Sequence, residues 1–81
     1  MGTDKNKSDQ PLRERLAGNL RRIRLQKNFS QEALAEKCGF HRTYISQVER
    51  GATNITIDNL QKIAAVLEID AKDLLSNGPS N

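Results

Sequence analysis

The sequence predicts an all-α domain of five helices, and three observations support that prediction. Apolar residues recur at spacings of three and four, which is typical of helices with one buried face. Residues that start or stop helices, such as Ser30 and Gly39, separate these stretches. Only Ile55-Thr56-Ile57 alternates as a strand would, and three residues at a helix entry are too few to form one.

The first two helices are delimited by local signals. Helix 1 is expected to begin near Pro11, which a first turn tolerates, and to stop at Asn28, which accepts a left-handed backbone. Its apolar stripe is Leu12, Leu16, Leu20 and Ile23. Ser30 is the predicted N-cap of a short second helix over Gln31–Cys38, and Gly39 ends that helix.

The remaining helices follow in the same way. The third is expected over Arg42–Arg50 and ends at Gly51. Thr56 caps the fourth, and Asp70 caps a short fifth helix. The stripe of the fourth helix is Ile57, Leu60, Ile63, Ala64 and Leu67. We expect residues 11–76 to fold, residues 1–10 to be a disordered arm or cloning remnant, and residues 77–81 to be a flexible tail.

Composition excludes several classes of function. The 81 residues make one small domain, and the single cysteine, Cys38, and single histidine, His41, argue against a disulfide framework or a metal site. No Ser/Cys–His pair, paired carboxylates or glycine-rich phosphate loop indicates an enzyme. Neither a long apolar run nor a secretion signal is found, so we expect a cytoplasmic protein without a cofactor, a small-molecule ligand or a membrane contact.

The charge is distributed unevenly. The net charge is +3, but residues 11–50 hold nine basic and four acidic side chains, whereas residues 51–81 hold two basic and four acidic ones. The positive charge therefore lies on the first two thirds of the chain, where a polyanion is the natural partner and a solvated basic helix is the alternative.

The second and third helices, joined by a tight turn at Gly39, form a helix-turn-helix pattern. Ile45 and Val48 anchor the third helix, which leaves its other face outward. That face carries Arg42, Thr43, Ser46 and Gln47. Arginine pairs with guanine, glutamine pairs with adenine and threonine contacts the thymine methyl group, so this face suits the major groove of DNA.

Residues 30–35 (SQEALA), Gly39 and residues 44–51 (YISQVERG) resemble the phage repressor/Cro (XRE-like) helix-turn-helix family. The resemblance extends over about Leu16 to Leu75 and implies the compact five-helix fold of that family. Residues 42–46 (RTYIS), 49–50 (ER) and 54–57 (NITI) are similar to the controller proteins of restriction–modification systems.

The resemblance also implies roles for individual residues. The base-reading positions are Arg42, Thr43 and Gln47, with Ser46 on the same face. The phosphate-contacting positions are Gln31, Tyr44, Asn54 and Thr56, with His41 in the turn near phosphate and Arg50 either on phosphate or complementing the helix dipole. Arg24 and Glu49 match a structural pair that ties helix 1 to helix 3. Ordinary exposed residues are the alternative for most of these positions, and packing on helix 2 is the alternative for Tyr44.

Two-fold symmetry suits a palindromic site, so a homodimer is expected. Its predicted interface lies in the acidic last third of the chain and comprises Ile55, Leu67, Ile69, Leu74 and Leu75. The alternative is that Leu74 and Leu75 fold back on helix 1 and complete the core of one protomer.

The sequence thus indicates a nucleoid-associated regulator of transcription that binds double-stranded DNA sequence-specifically. It would block or recruit RNA polymerase according to where its operator lies, and the second resemblance points to control of a restriction–modification system. The alternative function is an antitoxin or adaptor module whose helix-turn-helix mainly binds a protein partner.

Overall fold

The computed structural model describes residues 11–77, which form five helices and no strand. The helices are α1 (Leu12–Gln26), α2 (Gln31–Cys38), α3 (Arg42–Glu49), α4 (Ile57–Leu67) and α5 (Ala71–Leu75). The all-α prediction is therefore confirmed. The predicted arm over residues 1–10 and the predicted tail beyond Asn77 lie outside the described residues. Within residues 11–77, no helix is long and apolar enough to cross a membrane.

Short polar side chains start three of the helices. The Ser30 hydroxyl accepts a hydrogen bond from the Ala33 amide at 2.9 Å, and the Thr56 hydroxyl accepts one from the Asn59 amide at 3.0 Å. Asp70 begins α5 with a capping box. Each cap satisfies amide groups that have no partner inside the helix, which fixes where the helix begins.

The core lies where the five helices meet. Helix α1 packs on α3 and α5, α2 packs on α3 and α4, and α4 packs on α5. The side chains with essentially no exposed surface are Leu20, Leu34, Ile45, Val48, Ile63, Leu67 and Leu74. Their burial in one cluster holds α3 by its apolar face and leaves its polar face outward.

Polar side chains of α1 fasten the end of α5. The Asn19 amide, which is buried, donates to the carbonyl oxygens of Leu74 at 2.9 Å and Ser76 at 2.8 Å, and Arg15 donates to that of Leu75 at 3.2 Å. Carbonyl groups at the end of a helix lack partners within it, so these bonds replace water and hold α5 against α1.

The structure corrects part of the predicted dimer interface. Leu67 and Leu74 are 1% and 0% exposed, so they belong to the core of one protomer and their assignment to an interface is wrong. Ile55, Ile69 and Leu75 are half-buried at the edge of that core. The alternative, in which the last helix folds back on the first, describes Leu74 correctly because α5 packs on α1.

Two residues of the predicted apolar stripes are exposed instead of buried. Leu12 is 58% exposed and Ile57 is 76% exposed. Each is the first residue of its helix, α1 and α4 respectively, and lies beyond the edge of the core. Helical periodicity assigns a residue to a face but does not show how far along that face the neighbouring helices extend.

Candidate nucleic-acid interface

A sharp turn between α2 and α3 sets the orientation of α3. Gly39 adopts a left-handed backbone with φ of 80°. The Phe40 amide donates to the Ala35 carbonyl at 2.8 Å, and the Gly39 amide donates to the Glu36 carbonyl at 3.2 Å. This pair of bonds closes α2 and redirects the chain within three residues, so α3 begins directly after the turn.

The outward face of α3 presents unengaged polar groups. Arg42 and Thr43 are exposed and Gln47 is half-buried, and within residues 11–77 their side chains make no hydrogen bond. The Ser46 hydroxyl accepts from the Arg50 guanidinium at 2.7 Å, and so it keeps its own proton for donation. The predicted base-reading positions thus lie on one surface. Arg50, at the C-terminal end of α3, contacts that surface through Ser46.

Glu49 is the centre of a network that ties three helices together. Arg24 donates to both of its carboxylate oxygens, from Nε at 2.6 Å and from Nη2 at 3.0 Å. A third bond comes from the Gln31 amide at 3.0 Å, and Arg24 also donates to the Phe29 carbonyl at 2.8 Å. The side chains of Arg24 and Glu49 are 7% and 3% exposed, so this ion pair is buried inside the domain.

Gln31 is the first residue of α2, and its side chain is held in place rather than loose on the surface. One amide proton bonds to Glu49, which leaves the second proton of the same nitrogen. The backbone amides of the first helical turn have no partner within the helix and attract anions. Gln31 therefore brings a fixed side-chain donor to a helix end that already favours phosphate.

Tyr44 is held by its ring and by its hydroxyl. The ring packs edge-to-face on Phe40, with centroids 4.8 Å apart and an angle of 67° between the planes. The hydroxyl accepts from the Asn59 side-chain amide of α4 at 3.0 Å. The ring thus packs on Phe40 in the turn that follows α2, whereas no acceptor within residues 11–77 takes the hydroxyl proton.

The segment before α4 is tied to α1. The Arg13 guanidinium donates to the Asn54 side-chain oxygen, and Thr56 uses its hydroxyl to cap α4. His41 is exposed at the N-cap position of α3, where its side chain makes no capping bond. Asn54 and Thr56 are exposed, so the segment lies on the surface while its conformation is fixed from both sides.

Sequence reasoning missed two residues that organise this surface. Arg13 reaches Asn54 across 41 positions of the chain, and Asn59 reaches Tyr44 across 15. Each contacts a residue far away in the sequence, which helical periodicity does not reveal. For Asn59 the only local signal is its place in the sequence: it is a polar residue at the third position of α4, three residues after the Thr56 cap.

The sequence is similar to those of known proteins over most of its length. The helix-turn-helix family model matches residues 20–74. The control protein C.BamHI of Bacillus amyloliquefaciens is 54% identical over 57 residues, which is 69% of this chain and 70% of the relative. The control protein C.SmaI of Serratia marcescens is 45% identical over 65 residues, 80% of this chain and 77% of the relative.

Solved structures agree with the fold. The restriction–modification controller protein C.AhdI from Aeromonas hydrophila has a TM-score of 0.74 and 37% identity, covering 76% of this chain and 90% of its own. The hypothetical transcription factor NHTF from Neisseria has a TM-score of 0.77 and 50% identity, covering 79% of this chain and 72% of its own. The resemblance to the XRE-like group is thereby confirmed, and this chain belongs to the helix-turn-helix family.

Proposed function

We propose that this protein is a transcription regulator that binds double-stranded DNA sequence-specifically, as a homodimer on a palindromic operator. The observation that carries the proposal is the outward face of α3. Arg42, Thr43 and Gln47 present unengaged polar groups there, while Ile45 and Val48 anchor the opposite face in the core. A helix held in this way enters the major groove with its side chains on base edges.

Phosphate contacts on both sides of α3 complete the proposed mode of binding. Gln31 and the start of α2 take one phosphate, and Tyr44 with the segment from Asn54 to Thr56 takes another. His41 and Arg50 add positive or polar groups between them. The Arg24–Glu49 pair acts by holding α1, α2 and α3 in register, and makes no contact with DNA.

The names of the relatives support a more specific role. C.BamHI and C.SmaI are control proteins, and C.AhdI is a restriction–modification controller. We infer that this protein likewise controls a restriction–modification system, acts at the nucleoid, and blocks or recruits RNA polymerase according to the position of its operator. Its role is that of a regulator rather than an enzyme.

An apolar surface supports the homodimer. A groove of about 390 Å³ lies between the starts of α1 and α4, and the exposed side chains of Leu12 and Ile57 line it together with Ile55 and Leu75. A second apolar groove continues from Ile57 and Leu75 to Ile69. A partner copy would remove this apolar area from water, and the first groove adjoins the proposed phosphate contacts at Asn54 and Thr56.

Selection of random duplex DNA by the purified protein, followed by sequencing, tests the proposal. A palindrome with half-sites about one helical turn, ~34 Å, apart is the expected product. Salt-sensitive binding without an enriched sequence would contradict it and favour the antitoxin or adaptor alternative, in which a protein partner occupies the domain.

Arg42→Ala distinguishes base reading from charge. On the selected duplex it should cost roughly 1–3 kcal/mol and relax specificity at one base pair, with a smaller loss on random DNA. Arg21→Ala, which removes the same charge from an exposed position on α1, is the matched control. Equal losses for Arg42→Ala on both duplexes would reduce its role to a phosphate contact.

Ile57→Glu tests the apolar surface without disturbing the core, because Ile57, at 76%, is the most exposed large apolar side chain within residues 11–77. It should shift sedimentation velocity towards the monomer and weaken operator binding. Leu25→Glu, at a 52% exposed position near the end of α1, is the control that should change neither. A dimer that survives Ile57→Glu would place the interface elsewhere.

A further inference from the structure

Asn59 links the start of α4 to the third helix through two different groups. Its backbone amide donates to the Thr56 hydroxyl at 3.0 Å and so belongs to the helix cap. Its side-chain amide donates to the Tyr44 hydroxyl, also at 3.0 Å. The second bond is not needed to begin the helix, because the backbone amide alone makes the capping contact.

We propose that Asn59 is a positioning residue for DNA binding, which orients the Tyr44 hydroxyl so that its proton is donated to a backbone phosphate. The proposal rests on the proposed function of the domain. Tyr44 is the group that touches the phosphate, and Asn59 acts through it.

The direction of donation follows from the Asn59 atom that faces the hydroxyl, which is the side-chain nitrogen and can only donate. A phenolic hydroxyl has one proton and an oxygen that accepts. While the Tyr44 hydroxyl oxygen accepts from the Asn59 amide, the hydroxyl proton remains available for another acceptor. A phosphate oxygen of the DNA backbone is such an acceptor. A carboxylate at position 59 would reverse the arrangement, since it takes the phenolic proton for itself.

The surroundings of Tyr44 restrict the movement of its ring. The Tyr44 ring packs on Phe40 and against the apolar core, so the ring does not swing freely. The Lys62 ammonium lies 5.7 Å from the centroid of the same Phe40 ring. The ring that carries the hydroxyl is therefore held in place, and the aromatic pair to which it belongs has a positive charge beside it.

A double-mutant cycle tests the inference. Binding is measured for Tyr44→Phe, Asn59→Ala and the double variant, on a labelled duplex that carries the selected palindrome and on a random duplex of equal length. Tyr44→Phe should weaken binding to the selected duplex about tenfold, the lower end for a hydrogen bond to a charged group, and Asn59→Ala about threefold or more. In the Tyr44→Phe background, Asn59→Ala should change binding less than about twofold.

Asn59→Asp tests the inference by reversing the hydrogen bond, because the carboxylate would accept the Tyr44 hydroxyl proton. It should weaken binding more than Asn59→Ala does, and most of the excess should disappear in the Tyr44→Phe background. Gln61→Glu, at an exposed position two residues along α4, adds the same charge and is the matched control. An Asn59→Asp effect no larger than that of Gln61→Glu, or unchanged in the Tyr44→Phe background, would overturn the inference.

Stability separates positioning from a merely structural role. Asn59→Ala retains the backbone amide that donates to Thr56, so its thermal midpoint should stay close to that of the wild type. The inference would be overturned if Asn59→Ala weakened binding by the same factor in the wild-type and Tyr44→Phe backgrounds, or if Tyr44→Phe had no effect on binding. In either case, selective binding by the wild type would still support the proposed function. A wild-type protein that selects no sequence would overturn both.

Discussion

Replacing Glu49 by alanine should bring this domain close to unfolding at 25 °C. The substitution removes three hydrogen bonds to the carboxylate, two from Arg24 and one from Gln31. It also leaves the Arg24 guanidinium, whose side chain is 7% exposed, without its counter-charge. Breaking one partner of a buried pair costs about 3–5 kcal/mol. A core of this size supplies a similar total of about 3–5 kcal/mol, so most of the stability would be lost.

Urea denaturation followed by circular dichroism measures the loss. Glu49→Gln keeps the shape and part of the bonding, and should lie between the wild type and Glu49→Ala. The double variant Arg24→Met/Glu49→Leu removes both charges and should recover much of the stability, because the stranded charge causes the loss. A Glu49→Ala protein within about 1 kcal/mol of the wild type would refute this reasoning. A stable one with altered sequence preference would mean that Glu49 takes part in reading DNA.

Three further predictions concern the rest of the domain. Gly18→Ala should raise the free energy of unfolding by about 0.5–1 kcal/mol in the same assay, because Gly18 lies inside α1 with nothing within 4 Å of an added Cβ; a loss would contradict this. Asn19→Ala should cost about 1–3 kcal/mol by leaving the Leu74 and Ser76 carbonyls unpaired, and an unchanged urea midpoint would contradict it. Burial raises the pKa of the Cys38 thiol, more than the positive charge of a nearby lysine lowers it. The unfolded chain therefore loses this proton first, so stability should fall as the pH rises above 9.0, and Cys38→Ala should remove that part of the decline.

Helix boundaries could be predicted because their signals are local. Ser30, Thr56 and Asp70 cap helices in the structure as expected, and Gly39 adopts the left-handed backbone that its position requires. Each signal depends on residues within a few positions of it. Asn28 also has a left-handed backbone, with φ of 64°, although α1 itself ends two residues earlier, at Gln26.

The polar contacts that organise the candidate interface could not be predicted in this way. Asn59 and Tyr44 are separated by 15 positions, and Asn19 and Leu74 by 55. A local pattern shows that a residue is polar and lies on a given helix face, but not which group from another helix faces it. Family resemblance predicts the Arg24–Glu49 pair, because it carries long-range information that periodicity lacks.

The apolar residues of the proposed dimer interface show the same limit of local sequence patterns. The sequence assigns Leu67 and Leu74 to the interface, but both are buried in the core of one protomer, whereas Ile57 belongs to a predicted apolar stripe and is 76% exposed. Both errors have one cause, since burial depends on whether another helix covers the position. Helix α1 packs on α5 and covers Leu74, but no helix of residues 11–77 extends over Ile57. The exposed Ile57, which borders a groove lined by Leu12, Ile55 and Leu75, gains little hydrophobic stabilisation in the monomer, and the proposed second protomer would bury it.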